Sequence, residues 1–231
     1  MVQKTVSRIR KAPKRRTEPA SAKRDGPKKR GRPRAYDPDL ALTRAMDVFW
    51  KDGFAGTSLD ELSAATGMNR PSLYGAFGDK RELYIKAYQH YRDRSRAGMV
   101  ALLNQGLPLR ELLQRIFDLA LDIYFSGEEG PRGCFTVLTA ASDAVFDPDI
   151  RAMVQSAVRE MDRAFAGVFK AAQAKGELAG TADPEALATL LTATIHTVAV
   201  RARARVPRKD LELIANGLID LICGPPSASP R

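Results

Sequence analysis

Between Thr57 and Lys80 the chain reads TSLDELSAATGMNRPSLYGAFGDK, a stretch that leaves the backbone few options. Thr57 or Ser58 can cap a first helix over 59–65 by accepting an unpaired first-turn N–H, and Glu61, three residues after Ser58, completes a capping box. Gly67 permits the left-handed turn that ends this helix, Asn69 offers a second cap, and Pro71 fits the first turn of the next helix. Leu59, Leu62, Leu73 and Phe77 recur at helical spacing and are expected to face inward. That leaves Arg70, Ser72, Tyr74 and Gly75 on the outer face of the second helix. Such a face suits phosphates and base edges, yet an αα-hairpin of this size is also a common structural element with no ligand.

The flanks extend the helical pattern. Asp37 and Pro38 cap and start a helix whose Leu42, Ala45, Met46 and Phe49 form an i, i+3, i+4, i+7 stripe, with Gly53 at its end. Asp79 starts a long helix over about 80–103. Further helices are expected over 108–126, 132–145, 148–175, 184–205 and 208–222, separated by Gly- and Pro-containing breaks. No segment alternates convincingly as a strand, and no internal repeat is found. The expected class is therefore all-α: an N-terminal three-helix unit over 36–82 followed by a helical domain over 83–223. Residues 1–35 and 224–231 are expected to be disordered.

Charge is distributed unevenly along the 231 residues. The net charge of +10 hides a basic tail: residues 1–35 hold 14 Lys and Arg against Glu18 and Asp25, leaving 23 bases and 25 acids for the rest. Between Tyr36 and Lys80 four bases face seven acids, so any long-range attraction to DNA must come largely from the tail. The tail has too few large apolar residues to build a core. Its end, KKRGRPR over 28–34, contains an AT-hook-like Gly-Arg-Pro core, in which Arg32 and Arg34 can lie in a narrow minor groove. A solvated, nonspecific basic tail is the plainer alternative.

The run that includes Leu42, Ala45, Phe49, Gly53, Phe54, Thr57, Leu62, Gly67, Ser72, Leu73, Tyr74, Phe77, Lys80 and Leu83 resembles the N-terminal domain of the TetR family of one-component transcriptional regulators. Thr66 stands where that family usually has Ala. The resemblance implies that 36–82 is a helix-turn-helix DNA-binding domain and 83–223 a helical effector-binding and dimerisation domain, in a homodimer that binds a palindromic double-stranded DNA operator and is released by a small-molecule effector, more often a repressor than an activator. It implies phosphate contacts from Thr57, Asn69, Ser72, Tyr74 and Lys80, and base-edge contacts from Arg70 and Gly75. Phosphate contacts set register and base contacts set sequence preference. An architectural protein that coats AT-rich DNA through the basic arm is the alternative.

The last two expected helices are candidates for the dimer interface, through Leu187, Leu191, Val198, Ile214, Leu218 and Ile222, with small residues Ala193, Thr197 and Val200 elsewhere on the first of them. A buried intrachain core would give the same pattern. Phe117, Leu121, Tyr124, Phe125, Cys134, Leu138 and His196 are candidates for an effector pocket, although apolar stripes of this kind more often form plain core. Cys134 follows GPRG, which places its thiol in a helix's first turn and two residues from Arg132, where a thiolate is favoured. This stretch is similar to a TetR subgroup with a Gly-Cys pair here, some members of which sense electrophiles through the cysteine; structural burial is the competing role.

Two cysteines and two histidines without metal spacing give no reason to expect a metal or other cofactor, and no catalytic motif suggests an enzyme. No apolar run is long enough to span a membrane, and no signal peptide is evident, so a cytoplasmic location is expected.

Overall fold

Asp-Pro pairs open three of the helices. Asp37, Asp147 and Asp183 each accept hydrogen bonds from two first-turn N–H groups at 2.9–3.4 Å, and each precedes a proline with no N–H to leave unpaired. The computed structural model describes residues 36–225. Its helices are α1 (Pro38–Gly56), α2 (Leu59–Thr66), α3 (Arg70–Phe77), α4 (Lys80–Leu103), α5 (Leu109–Tyr124), α6 (Ala141–Asp143), α7 (Pro148–Ala174), α8 (Pro184–Arg203) and α9 (Arg208–Cys223). A π-helical turn, Thr136–Ala140, leads into α6. No strand is present among the described residues. The basic arm with Arg32 and Arg34, and the tail after Pro225, lie outside them.

The sequence stripe of α1 is buried at Ala45, Met46 and Phe49, with Trp50 beside them. Gly53 takes φ +71 and ψ 175, which kinks the helix; one more turn then carries the chain to Thr57. Three tyrosines of α4, Tyr84, Tyr88 and Tyr91, share a face at i, i+4, i+7 and close on α1 and on Phe135. Phe135 is the hub: its ring lies 5.4–5.9 Å from those of Tyr84, Tyr88, Tyr91 and Trp50. Each such aromatic pair adds about 0.5–1.5 kcal/mol beyond simple burial. The helices next to α3 are thus bolted to the segment that precedes α6.

The helix expected over 132–145 begins later and is irregular. Gly133 has φ +64, and a Cβ there would lie 2.6 Å from the Ala199 carbonyl oxygen of α8. The chain must therefore pass α8 in a left-handed conformation before it can turn helical.

In the rest of the domain, α5 buries one stripe that includes Leu113, Ile116, Phe117 and Leu121, α7 and α8 pack along their lengths, and α9 covers α5 and α8. The six residues expected at an interface on α8 and α9 divide by burial. Leu191, Val198 and Leu218 are buried in their own chain, and Leu187, Ile214 and Ile222 are half-buried. The apolar residues left open are Leu190 and Val200 on α8 and Leu213 and Leu221 on α9. Both faces of α8 are apolar, so periodicity alone does not say which one the chain keeps for itself.

Candidate nucleic-acid interface

The turn between α2 and α3 is built from local hydrogen bonds. The Ser58 hydroxyl accepts from the Glu61 N–H at 3.2 Å while the Glu61 carboxylate accepts from the Ser58 N–H at 2.7 Å, completing the capping box and holding the Glu61 carboxyl below its usual range. Gly67 has φ 70 and ψ 16, and Asn69 Oδ1 accepts from the Ser72 N–H at 2.9 Å. Thr66 tightens the turn: its hydroxyl donates to the Leu62 carbonyl at 2.7 Å and accepts from the Met68 N–H at 3.3 Å. At the far end of α3, Lys86 Nζ donates to the Phe77 carbonyl at 2.7 Å.

With Leu73 and Phe77 buried, Asn69, Arg70, Ser72, Tyr74 and Gly75 are exposed. A Cβ added at Gly75 would meet nothing within 4 Å, so the surface there is open and flat. Arg70 is not free: its guanidinium donates to Asp60 Oδ1 at 2.6 and 3.1 Å. Lys80 Nζ lies 4.5 Å from the centroid of the Phe54 ring, at the N-terminus of α4. Thr57 departs from expectation. It is 2% exposed and donates its hydroxyl to the Gly53 carbonyl at 2.7 Å, so it braces the kink in α1 and does not present a group to a phosphate.

The reading helices are tied to the remainder by charge as well as packing. Arg81, one residue into α4, bonds Asp147 and Asp149 at the start of α7, both at 2.6 Å. The Arg81 guanidinium holds the Asp147 carboxyl at about 2. Tyr84 donates to Asp143 at 2.6 Å, and burial followed by that carboxylate pushes its phenol far up.

A cavity of about 460 Å³ opens between α4, α5, α7 and α8. Of the expected pocket residues it includes Tyr124 and Cys134. Phe117 and Leu121 are core residues that border a separate groove between α5 and α9, and Phe125, Leu138 and His196 line neither space. Leu138 rests on Gly133, and His196 is held below its ordinary pKa by burial. Cys134 is 5% exposed, with its sulfur 3.4 Å from the Tyr91 hydroxyl. Arg132 does not serve the thiol: its guanidinium lies 3.8 Å from the Trp50 ring centroid and donates to Asp47 and Ser126. Sequence reasoning missed Arg92, Ser95, Arg96 and Met99, which line the cavity from α4. Their i, i+3, i+4, i+7 spacing was the available signal.

Comparison with known proteins adds to this geometry. Residues 41–87 match the family described as bacterial regulatory proteins, tetR family, and residues 109–218 match the tetracyclin repressor-like C-terminal domain. The chain is 30% identical over 194 residues to the HTH-type transcriptional repressor ComR of Escherichia coli (strain K12), covering 84% of this chain and 92% of the repressor. It is 30% identical over 162 residues to the uncharacterized HTH-type transcriptional regulator YezE of Bacillus subtilis (strain 168), covering 70% of this chain and 83% of that one. Among solved structures, a cysteine mutant of the TetR family transcriptional regulator CifR complexed with 26-bp double-strand operator DNA superimposes with a TM-score of 0.73 at 34% identity, over 83% of this chain and all of that one.

Proposed function

We propose, from the premise that the chain belongs to the TetR family of bacterial transcriptional regulators, that it is a cytoplasmic repressor that binds a palindromic operator as a homodimer and is released by a small-molecule effector. The outward face of α3 carries this reading. Asn69, Ser72, Tyr74 and Lys80 meet phosphates, while Arg70 and the open surface at Gly75 meet base edges in the major groove. Because the described surface between Tyr36 and Lys80 is mildly acidic, the basic arm supplies the long-range attraction, and Arg32 and Arg34 enter an adjacent minor groove.

Two copies associate through the open apolar face of α8 and α9, where Ala193 and Thr197 allow close approach between Leu190 and Val200. Two-fold symmetry then presents two α3 helices to successive major grooves. The effector occupies the cavity beside α4. It releases DNA only by binding better to the conformation that does not fit the operator.

The test is a selection of genomic DNA fragments by the full chain and by a version lacking residues 1–35, followed by a salt series against competitor DNA. A single palindromic fragment held by both supports an operator-reading dimer. Binding spread over AT-rich fragments and abolished by truncation would replace this reading with an architectural one.

A further inference from the structure

The cavity beside α4 has an uneven charge at its mouth. Arg92 and Arg96 approach from α4 and Arg163 from α7, against the single carboxylate of Glu160. Deeper in, Met99, Leu119 and Phe165 make the walls apolar. At the inner end the Tyr91 hydroxyl meets the Cys134 sulfur at 3.4 Å, a weak bond that leaves it able to donate elsewhere. The volume of about 460 Å³ falls in the ~300–1,000 Å³ range of small-molecule sites.

Glu160 is the only built-in anion in this lining. Its carboxylate accepts from Arg92 at 3.0 Å and from Ser156 Oγ at 2.7 Å, which ties α4 to α7. Arg96 makes no ion pair with a described residue, and Arg163 bonds only to the Arg159 carbonyl of its own helix. The mouth therefore carries two cationic charges that no carboxylate balances. A cationic ligand would be repelled there, and a neutral one would gain only weaker bonds that carry no charge–charge attraction. A carboxylate gains charge-assisted bonds of the bidentate kind that guanidinium favours.

We propose that the cavity binds an organic carboxylate, with its apolar body between α4, α5 and α7 and its anionic head at Arg92, Arg96 and Arg163, where it competes with Glu160 for Arg92. This rests on the effector-released reading above and names the class of effector. The competition also gives the head a route to α4, since the Arg92–Glu160 pair is one of the ties between α4 and α7.

The experiment is isothermal titration calorimetry on the full chain with three probes of matched length, octanoate, octanol and octylamine, and with the aromatic set phenylacetate, phenylethanol and phenethylamine. In at least one set the carboxylate is expected to bind about tenfold tighter than the alcohol, equivalent to ~1.4 kcal/mol, with the amine weakest. Arg96→Gln, an exposed change that leaves the core intact, is expected to reduce that preference several-fold, and Glu160→Gln to increase carboxylate affinity. Equal binding of acid and alcohol, tighter binding of an amine, or no binding of either acid would overturn the proposal. DNA binding by the unliganded chain, measured in the same buffer, separates the two readings: its loss sinks the regulator reading, whereas its persistence alongside any of those outcomes sinks only the carboxylate assignment.

Discussion

Arg70 of α3 and Asp60 of α2 form an exposed ion pair across the helix turn, with Nη2 and Nε at 2.6 and 3.1 Å from one carboxylate oxygen. This pairing holds the guanidinium against the side of α2, away from the tip of α3. In the proposed contact a base edge would take Arg70 by displacing Asp60, which would make the carboxylate an internal competitor for DNA. Exposed pairs of this kind are held weakly and exchange readily.

Asp60→Asn is therefore expected to tighten operator binding and to raise nonspecific binding with it. Arg70→Ala is expected to cost about 1–3 kcal/mol on the operator and to relax preference at one base pair per half-site. Fluorescence anisotropy on operator variants substituted one position at a time reads both effects. Uniform weakening across all variants would make Arg70 a phosphate contact.

Removal of residues 1–35 takes away 14 Lys and Arg and only two acids. The slope of log affinity against log salt is expected to become shallower by about 0.9 for every phosphate the arm neutralises. An unchanged slope would mean that the arm does not touch the DNA.

Asp147 caps α7 and pairs with Arg81 of α4, and its carboxyl is held at about 2. A carboxyl depressed in the folded state stabilises fully above its unfolded value near 4, and the contribution fades as the pH falls from about 4 through about 2. Asp147→Asn keeps a capping oxygen and loses the charge, so it is expected to cost about 0.5–1 kcal/mol near neutrality after allowance for solvent screening. Asp147→Ala also loses the cap, for about 1 kcal/mol more. Denaturant melts across the acid range check both magnitudes, and the Asn variant should lose stability less steeply below pH 4 than the parent.

Leu213 is 69% exposed and Leu221 is 84% exposed in the single chain, whereas Leu191 is fully buried. Leu221→Glu and Leu213→Glu are expected to leave the helical content unchanged and to convert the proposed dimer to monomer in sedimentation velocity. Leu191→Glu is expected to unfold the chain, because a carboxylate would enter a core with no partner. A Leu213→Glu, Leu221→Glu double variant that still sediments as a dimer would exclude this face as the interface.

What the sequence determined by itself was set by neighbours within one helical turn. The Ser58–Glu61 box, the Asn69 cap, the left-handed Gly67, the prolines behind Asp37, Asp147 and Asp183, and the buried Leu73 and Phe77 are consequences of hydrogen bonding and spacing within a few residues. The start of α3 and the extents of α2 and α4 were legible for that reason, and so was the outward set on α3. Tertiary structure decided whatever depends on a partner far along the chain. Thr57 turned inward because Gly53 offered its carbonyl once the α1 kink had formed, and Arg132 went to Trp50 and Asp47, more than eighty residues away, leaving Cys134 to Tyr91. The choice between the two apolar faces of α8 was settled by α5, α7 and α9, because burial rewards apolar area without regard to which face supplies it. The charged mouth of the cavity likewise exists only after α4 and α7 have been brought side by side.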